Sequence, residues 1–264
     1  MIAGGGAIAK GVIWGLVIFD GVFLALPTLV IVVASFTGEN IIRFPPQSWS
    51  LRWYQTIAAD PVLWEALYRS FAVAVVCTLL SLPAGTLGAL GLYKLKAGRH
   101  PGHLALQVYL LLPFTVPLIA SGLGMMLLFG EWRILGQLWP VGLALCAINL
   151  PFMLWAVGAA VNRLDPTLAR AASNCGAPPW MVFATVTLPA LMPGIITGGL
   201  LMFILAFNEF IVSLLLVDAR IVTLPVQIYN AIRSITTPDL AAISVVYLLV
   251  AGVAVAIIDR LGGL

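Results

Sequence analysis

Six runs of about 20 apolar residues limit this chain's fold more than any other feature, because each is long enough to cross a bilayer. They are Val12–Ser35, Ser70–Tyr93, Leu104–Gly130, Ile134–Val161, Gly194–Val217 and Leu240–Ile258. A helix of about 20 residues rises ~30 Å, the thickness of the hydrocarbon layer. Lipid offers free backbone groups no partner, so each run must close its hydrogen bonds internally as a helix. A barrel would require polarity to alternate at every second residue, and these runs do not alternate. Of 264 residues, 62% are hydrophobic and only 9% charged. A soluble domain carries roughly a quarter charged residues, so most of this surface must face lipid. The expected fold class is all-α: a polytopic membrane protein of about six transmembrane helices, forming a single domain over residues 1–264. No stretch is polar and long enough for a separate nucleotide-binding domain. Val12–Phe36 exceeds a signal-peptide core and lacks a small-residue cleavage pattern, so it is expected to stay as the first span.

The few charges report topology. A net charge of +3 is too small to imply nucleic acid. With six spans, Lys10, Lys94, Lys96, Arg99, Arg163, Arg170 and Arg260 share one face, and Arg43, Arg52, Arg69, Arg133, Arg220 and Arg233 the other. The totals nearly balance, but Lys94, Lys96 and Arg99 crowd one short loop, where positive charge marks the inner face most strongly. Both termini are therefore expected on the cytoplasmic side. The long first outer loop, Phe36 to Arg69, holds Trp49, Trp53, Tyr54 and Trp64, residues suited to the membrane interface. Cys77, Cys146 and Cys175 have no disulfide or metal spacing; they read as small packing residues. His100 and His103 read as interfacial loop residues without a metal role. No nucleophile–base pair, phosphate loop or metal cluster stands out, so the chain is not expected to be an enzyme.

Residues 163–193, between the fourth and fifth runs, have helical signals of their own. Asp165-Pro166 is a helix start, with Asp165 as cap and Pro166 in the first turn. Thr167–Cys175 is the expected helix, and Gly176 the left-handed residue that closes it. Pro178-Pro179 opens a second helix, Trp180–Leu188, expected to end at Pro189. The predicted unit is helix, glycine turn, helix, resting on the inner membrane face.

Arg170-Ala171-Ala172-Ser173-Asn174-Cys175-Gly176, followed by Thr187-Leu188-Pro189 and Pro193-Gly194, resembles the Glu-Ala-Ala loop of binding-protein-dependent importer permeases driven by ATP-binding-cassette subunits. The pattern is met at Ala171, Ala172, Gly176, Leu188 and Pro189; Arg170 stands where the family usually has Glu. Ser50-Leu51-Arg52-Trp53-Tyr54, Phe207-Asn208-Glu209-Phe210 and Thr223-Leu224-Pro225-Val226-Gln227-Ile228-Tyr229 are similar to stretches of the polyamine-type subfamily, closest to the second permease of spermidine/putrescine systems. The resemblance implies a coupling loop comprising Arg170, Ala171, Ala172, Gly176, Ala177, Pro179 and Trp180, seated in a groove of an ATPase subunit. It implies as partners an ATPase dimer, a homologous sister permease, a periplasmic or extracellular solute-binding protein, and membrane lipid. ATP and Mg belong to the ATPase subunits, with no cofactor on this chain. The location implied is a bacterial inner membrane. Related systems carry 2-aminoethylphosphonate, thiamine, ferric iron or opines, so the cargo stays open beyond a small, cationic or amine-containing solute.

Two carboxylates fall within the apolar runs: Asp20 in the first and Glu209, beside Asn208, in the fifth. An acid at membrane depth costs several kcal/mol, or about that order, unless water, a cation or a partner meets it. Asn208, Glu209 and Asp20 are the candidate pathway residues; a structural bond to a neighbouring helix or to the sister permease is the competing reading for Glu209, and a cation partner or a cap on amides freed near the Pro27 kink that for Asp20. An ion-driven secondary transporter is the rival class; it would call for inverted repeats and for helices broken at the midplane, and no internal repeat stands out in the sequence. A non-transporting membrane scaffold is the other.

Overall fold

Helices cover most of every apolar run. The computed structural model describes residues 7–42, 44–218, 221–234 and 237–262; Arg43 and Arg220, two charges assigned to the outer face, lie outside the described residues. Among these, regular structure is helical apart from one isolated β-bridge between Thr37 and Trp49. Five helices are long and apolar enough to cross a membrane: α1 (Ala7–Ser35), α3 (Pro61–Ala97), α6 (Leu138–Val161), the continuous stretch Pro179–Phe207, and α12 (Asp239–Gly262). A short α2 (Arg52–Ala58) precedes α3. The all-helical membrane fold expected from the sequence is thus observed.

The third apolar run is not one rod. It divides into α4 (His103–Thr115) and α5 (Leu118–Glu131), bent by 98°. Pro117 supplies the cause: it lacks an amide and forces Val116 out of the helical region, to φ −87° and ψ 132°. Each arm is only about 20 Å long, so neither crosses alone. If the bent pair counts as one broken span, the described residues hold up to six spans.

The fifth run differs too. Pro189 does not stop the helix. The chain runs from α8 (Pro179–Val182) through a π-helical turn, Phe183–Thr187, into α9 (Leu188–Phe207). Pro189 follows directly on this wider turn, within the continuous stretch and not at a free helix start. The Thr185 hydroxyl donates to the Met181 carbonyl at 2.7 Å inside the same stretch. At its far end the run breaks again at Asn208–Phe210 before the short α10 (Ile211–Leu216).

Two compact units emerge. The first draws on residues up to Pro61 and on Ile228–Leu249; the second on Val62–Gln227 and the chain from Val250. In the first unit, the Ser50–Tyr54 stretch is stapled to the end of α1. The Trp53 indole donates to the Thr37 carbonyl at 2.9 Å, and the Tyr54 hydroxyl sits 2.6 Å from the Ser35 hydroxyl. Arg52 lies over the Trp53 ring at 4.3 Å and bonds Asn40. Trp49 stays exposed, as an interfacial residue should.

The second unit is organised around α6, which buries Val141, Leu145, Met153 and Val157. It packs along α9, and glycine makes the approach possible. A Cβ at Gly194 would lie 2.6 Å from the Ala160 Cβ and 3.0 Å from the Ala156 carbonyl. Small residues replace the hydrophobic driving force that lipid removes between helices. The fully buried Ser70 hydroxyl accepts from the Leu224 amide at 2.8 Å, tying α3 to the start of α11 (Leu224–Ser234).

Candidate functional site

The loop after α6 is built from the residues that read as its start and stop. Asp165 adopts an extended conformation, and its carboxylate accepts from the Thr167 amide at 2.8 Å. The Thr167 amide, then the Thr167 side chain and the nearby Arg170 charge, hold the Asp165 carboxyl below its ordinary range. Pro166 occupies the first turn of α7 (Pro166–Asn174), a nine-residue helix that no buried residue anchors.

Its end is a Schellman motif. The Gly176 amide donates to Ser173 at 2.9 Å, and the Ala177 amide reaches back to Ala172 at 3.2 Å. Gly176 takes φ +86°, the left-handed region that side chains avoid. Pro178 and Pro179 then redirect the chain into α8, against which α7 packs. The helix and glycine turn anticipated from the sequence are present; the second helix continues into α9 rather than ending at Pro189.

The surface so made is exposed and mixed. Leu168 is 57% exposed and Trp180 69%, with Ala171 also open to the outside. Arg170 turns back on its own helix, where its Nε donates to the Pro166 carbonyl at 3.4 Å. Cys175, at the C-terminal cap of α7, is the exposed member of the three free thiols; Cys77 and Cys146 are buried.

Asn208 and Glu209 sit together at the break between α9 and α10. The Asn208 side-chain amide donates to the Ile204 carbonyl at 2.9 Å. The Glu209 carboxylate accepts from the Val212 amide at 2.9 Å, in the manner of a helix cap. Glu209 is therefore not suspended in a continuous span. It caps the start of α10 across a backbone discontinuity at Asn208–Phe210. The sequence carried this signal as an acid three residues ahead of Val212, in a short apolar run. Asp20 belongs to the other unit; it is exposed, on a stretch of α1 exposed from Lys10 to Leu29.

A family model described as the binding-protein-dependent transport system inner membrane component matches residues 16–263. The putrescine transport system permease protein PotI of Escherichia coli (strain K12) is 26% identical over 237 residues, covering 88% of this chain and 83% of that protein. A putative 2-aminoethylphosphonate transport system permease protein, PhnV of Salmonella paratyphi A, is 29% identical over 230 residues, covering 85% and 84%. Among solved structures, a bacterial ABC transporter importing alginate matches at TM-score 0.71 and 16% identity over 98% of this chain and 99% of that one. That likeness speaks for the fold.

Proposed function

The chain belongs to the family of binding-protein-dependent transport system inner membrane components, a non-catalytic, multi-pass subunit of a bacterial ATP-binding-cassette importer, and from that premise we propose that it forms half of the route for a small amine-bearing solute. The observation that carries the coupling role is the exposed α7 with its Schellman close at Gly176. A short capped helix with Leu168 uncovered, beside Trp180 uncovered at the start of α8, is a ready-made knob for a groove on the ATPase subunit. Arg170, Ala171, Ala172, Gly176, Ala177, Pro179 and Trp180 make up this knob. ATP and Mg act on the ATPase dimer. Closure of that dimer pushes α7, and the push reaches α9 through α8 and the π-helical turn, along one continuous helix. The spans then rock between inward-open and outward-open states, with a homologous sister permease completing the route. A solute-binding protein delivers cargo at the outer face, and both termini face the cytoplasm.

Putrescine in one relative's name and 2-aminoethylphosphonate in another's share an amine. The Glu209 carboxylate at the α9–α10 break, with Asn208, offers such a cation an acceptor inside the route; Asp20 offers a second along α1. The 29% identity to the aminoethylphosphonate permease favours a second reading, a zwitterionic cargo carrying both amine and phosphonate. A thermal-shift screen of the partner binding protein separates them. Stabilisation by putrescine or spermidine alone supports the polyamine; stabilisation by 2-aminoethylphosphonate alone supports the zwitterion; a response to neither sinks the amine assignment.

A further inference from the structure

Within the second unit, a cavity of about 350 Å³ opens among the ends of α3, α4 and α6, on the face where the loop to α7 begins. It falls in the size range of small-molecule sites, ~300–1,000 Å³. None of the described family features uses it.

Its walls are graded. Lys96, His103 and Asn162 stand at the helix ends, and Tyr93 and Gln107 lie one turn further in. Leu111, Leu154 and Trp155 form the deep end. From His103 to Leu111 the axial rise is about 12 Å, so polarity falls from cationic to apolar over that depth. Among the described residues, no Asp or Glu lines the cavity, and Lys96 gives its outer end positive charge, which suits an anion better than a cationic solute. The ends of membrane-spanning helices lie at headgroup level, where basic pockets between helices take anionic lipid headgroups.

The basic end is held in place. The Arg99 amide donates to the Lys96 carbonyl at 3.1 Å, and the His100 amide to Leu95 at 2.9 Å, closing α3 with Arg99 at φ +52°. The His103 ring nitrogen Nδ1 donates to the His100 carbonyl at 3.1 Å. On the opposite wall, a side chain added at Gly158 would meet nothing within 4 Å, so the apolar part is open space.

We propose that this cavity is a binding site for an anionic phospholipid. Its phosphate is held at Lys96 and His103, and an acyl chain lies against Leu111 and Trp155. The occupant braces α3 and α4 against the last turns of α6, immediately ahead of the α7 loop.

The test is native mass spectrometry of the purified transporter complex, delipidated in mild detergent and titrated with phosphatidylglycerol, phosphatidylcholine or soluble glycerol phosphate. Wild type is expected to retain phosphatidylglycerol selectively. Lys96→Gln is expected to weaken retention about fivefold, the worth of one basic contact at a membrane surface. Lys94→Gln removes the same charge from the same helix end but does not line the cavity, and is expected to retain lipid like wild type. Gly158→Leu fills the apolar end without changing charge and is expected to lose retention also. Equal losses for Lys94→Gln and Lys96→Gln would overturn the site, as would full retention by Gly158→Leu or by phosphatidylcholine. Binding of glycerol phosphate as tight as that of phosphatidylglycerol would overturn the lipid assignment, because the apolar end would then contribute nothing.

Discussion

Replacing Gly176 tests the coupling geometry through backbone conformation alone. The residue sits at φ +86°, where an ordinary L-residue is disfavoured by about 1–2 kcal/mol. A Cβ added there meets no atom within 4 Å, so no steric clash adds to that cost. A penalty of this size shifts the closed loop against its opened forms by roughly 5- to 30-fold. Asn tolerates the left-handed region, whereas a β-branched residue does not. The order of function is therefore Gly above Asn, Asn above Ala, and Ala above Val. The assay is binding-protein-stimulated ATP hydrolysis by the complex in proteoliposomes, normalised to the ATPase subunit retained. Stimulation is expected to fall in that order while total helix content stays constant. If Gly176→Val stimulates as well as Gly176→Asn, the Schellman close is not what presents α7, and the reasoning fails.

Further outcomes follow from other parts of the structure. Glu209→Gln keeps an acceptor for the Val212 amide but loses the charge, whereas Glu209→Ala loses both. Gln is expected to preserve thermal stability and reduce uptake of a cationic solute, and Ala to lower both; uptake unchanged in Gln would remove the pathway role. Gly194→Val forces α9 away from α6 and is expected to cost about 1–3 kcal/mol, read as a lower melting temperature in detergent, while Gly124→Ala, which meets nothing within 4 Å, is expected to be neutral. Because the Asp165 carboxyl is held below its ordinary value, its cap is complete above the unfolded carboxylate range near pH 4 and fails only as pH falls through the lowered folded value. Hydrogen exchange of the first turn of α7, corrected for intrinsic rate, should be flat from pH 6 to 8; a midpoint in that window would contradict the assignment.

Local signals were legible and contextual ones were not. Asp165, Pro166 and Gly176 act through their own backbone neighbours, so their spacing alone located both ends of α7. The apolar runs were equally plain, because lipid imposes the same length on each span. Pro117 and Pro189 have identical covalent limits but different outcomes. One splits α4 from α5, and the other follows a π-helical turn inside a continuous stretch, a difference that the proline residue by itself does not announce. Glu209 read as an acid stranded in a helix because the run Gly194–Val217 is apolar on both sides of it. The break appears only once side chains of Asn208 and Glu209 take over backbone hydrogen bonds. The Lys96–His103 cavity joins residues from three helices, and no single stretch of sequence announces it.

The docking of α7 on an ATPase subunit can be read from Cys175. It is the exposed native thiol, at the end of α7, and Cys77 and Cys146 are buried. In the purified complex, a short bifunctional thiol–amine reagent is expected to link Cys175 to the ATPase subunit, and Cys175→Ser is expected to abolish the product. A complex that retains the ATPase yet gives no adduct at Cys175, with the thiol still freely labelled by maleimide, would contradict the account.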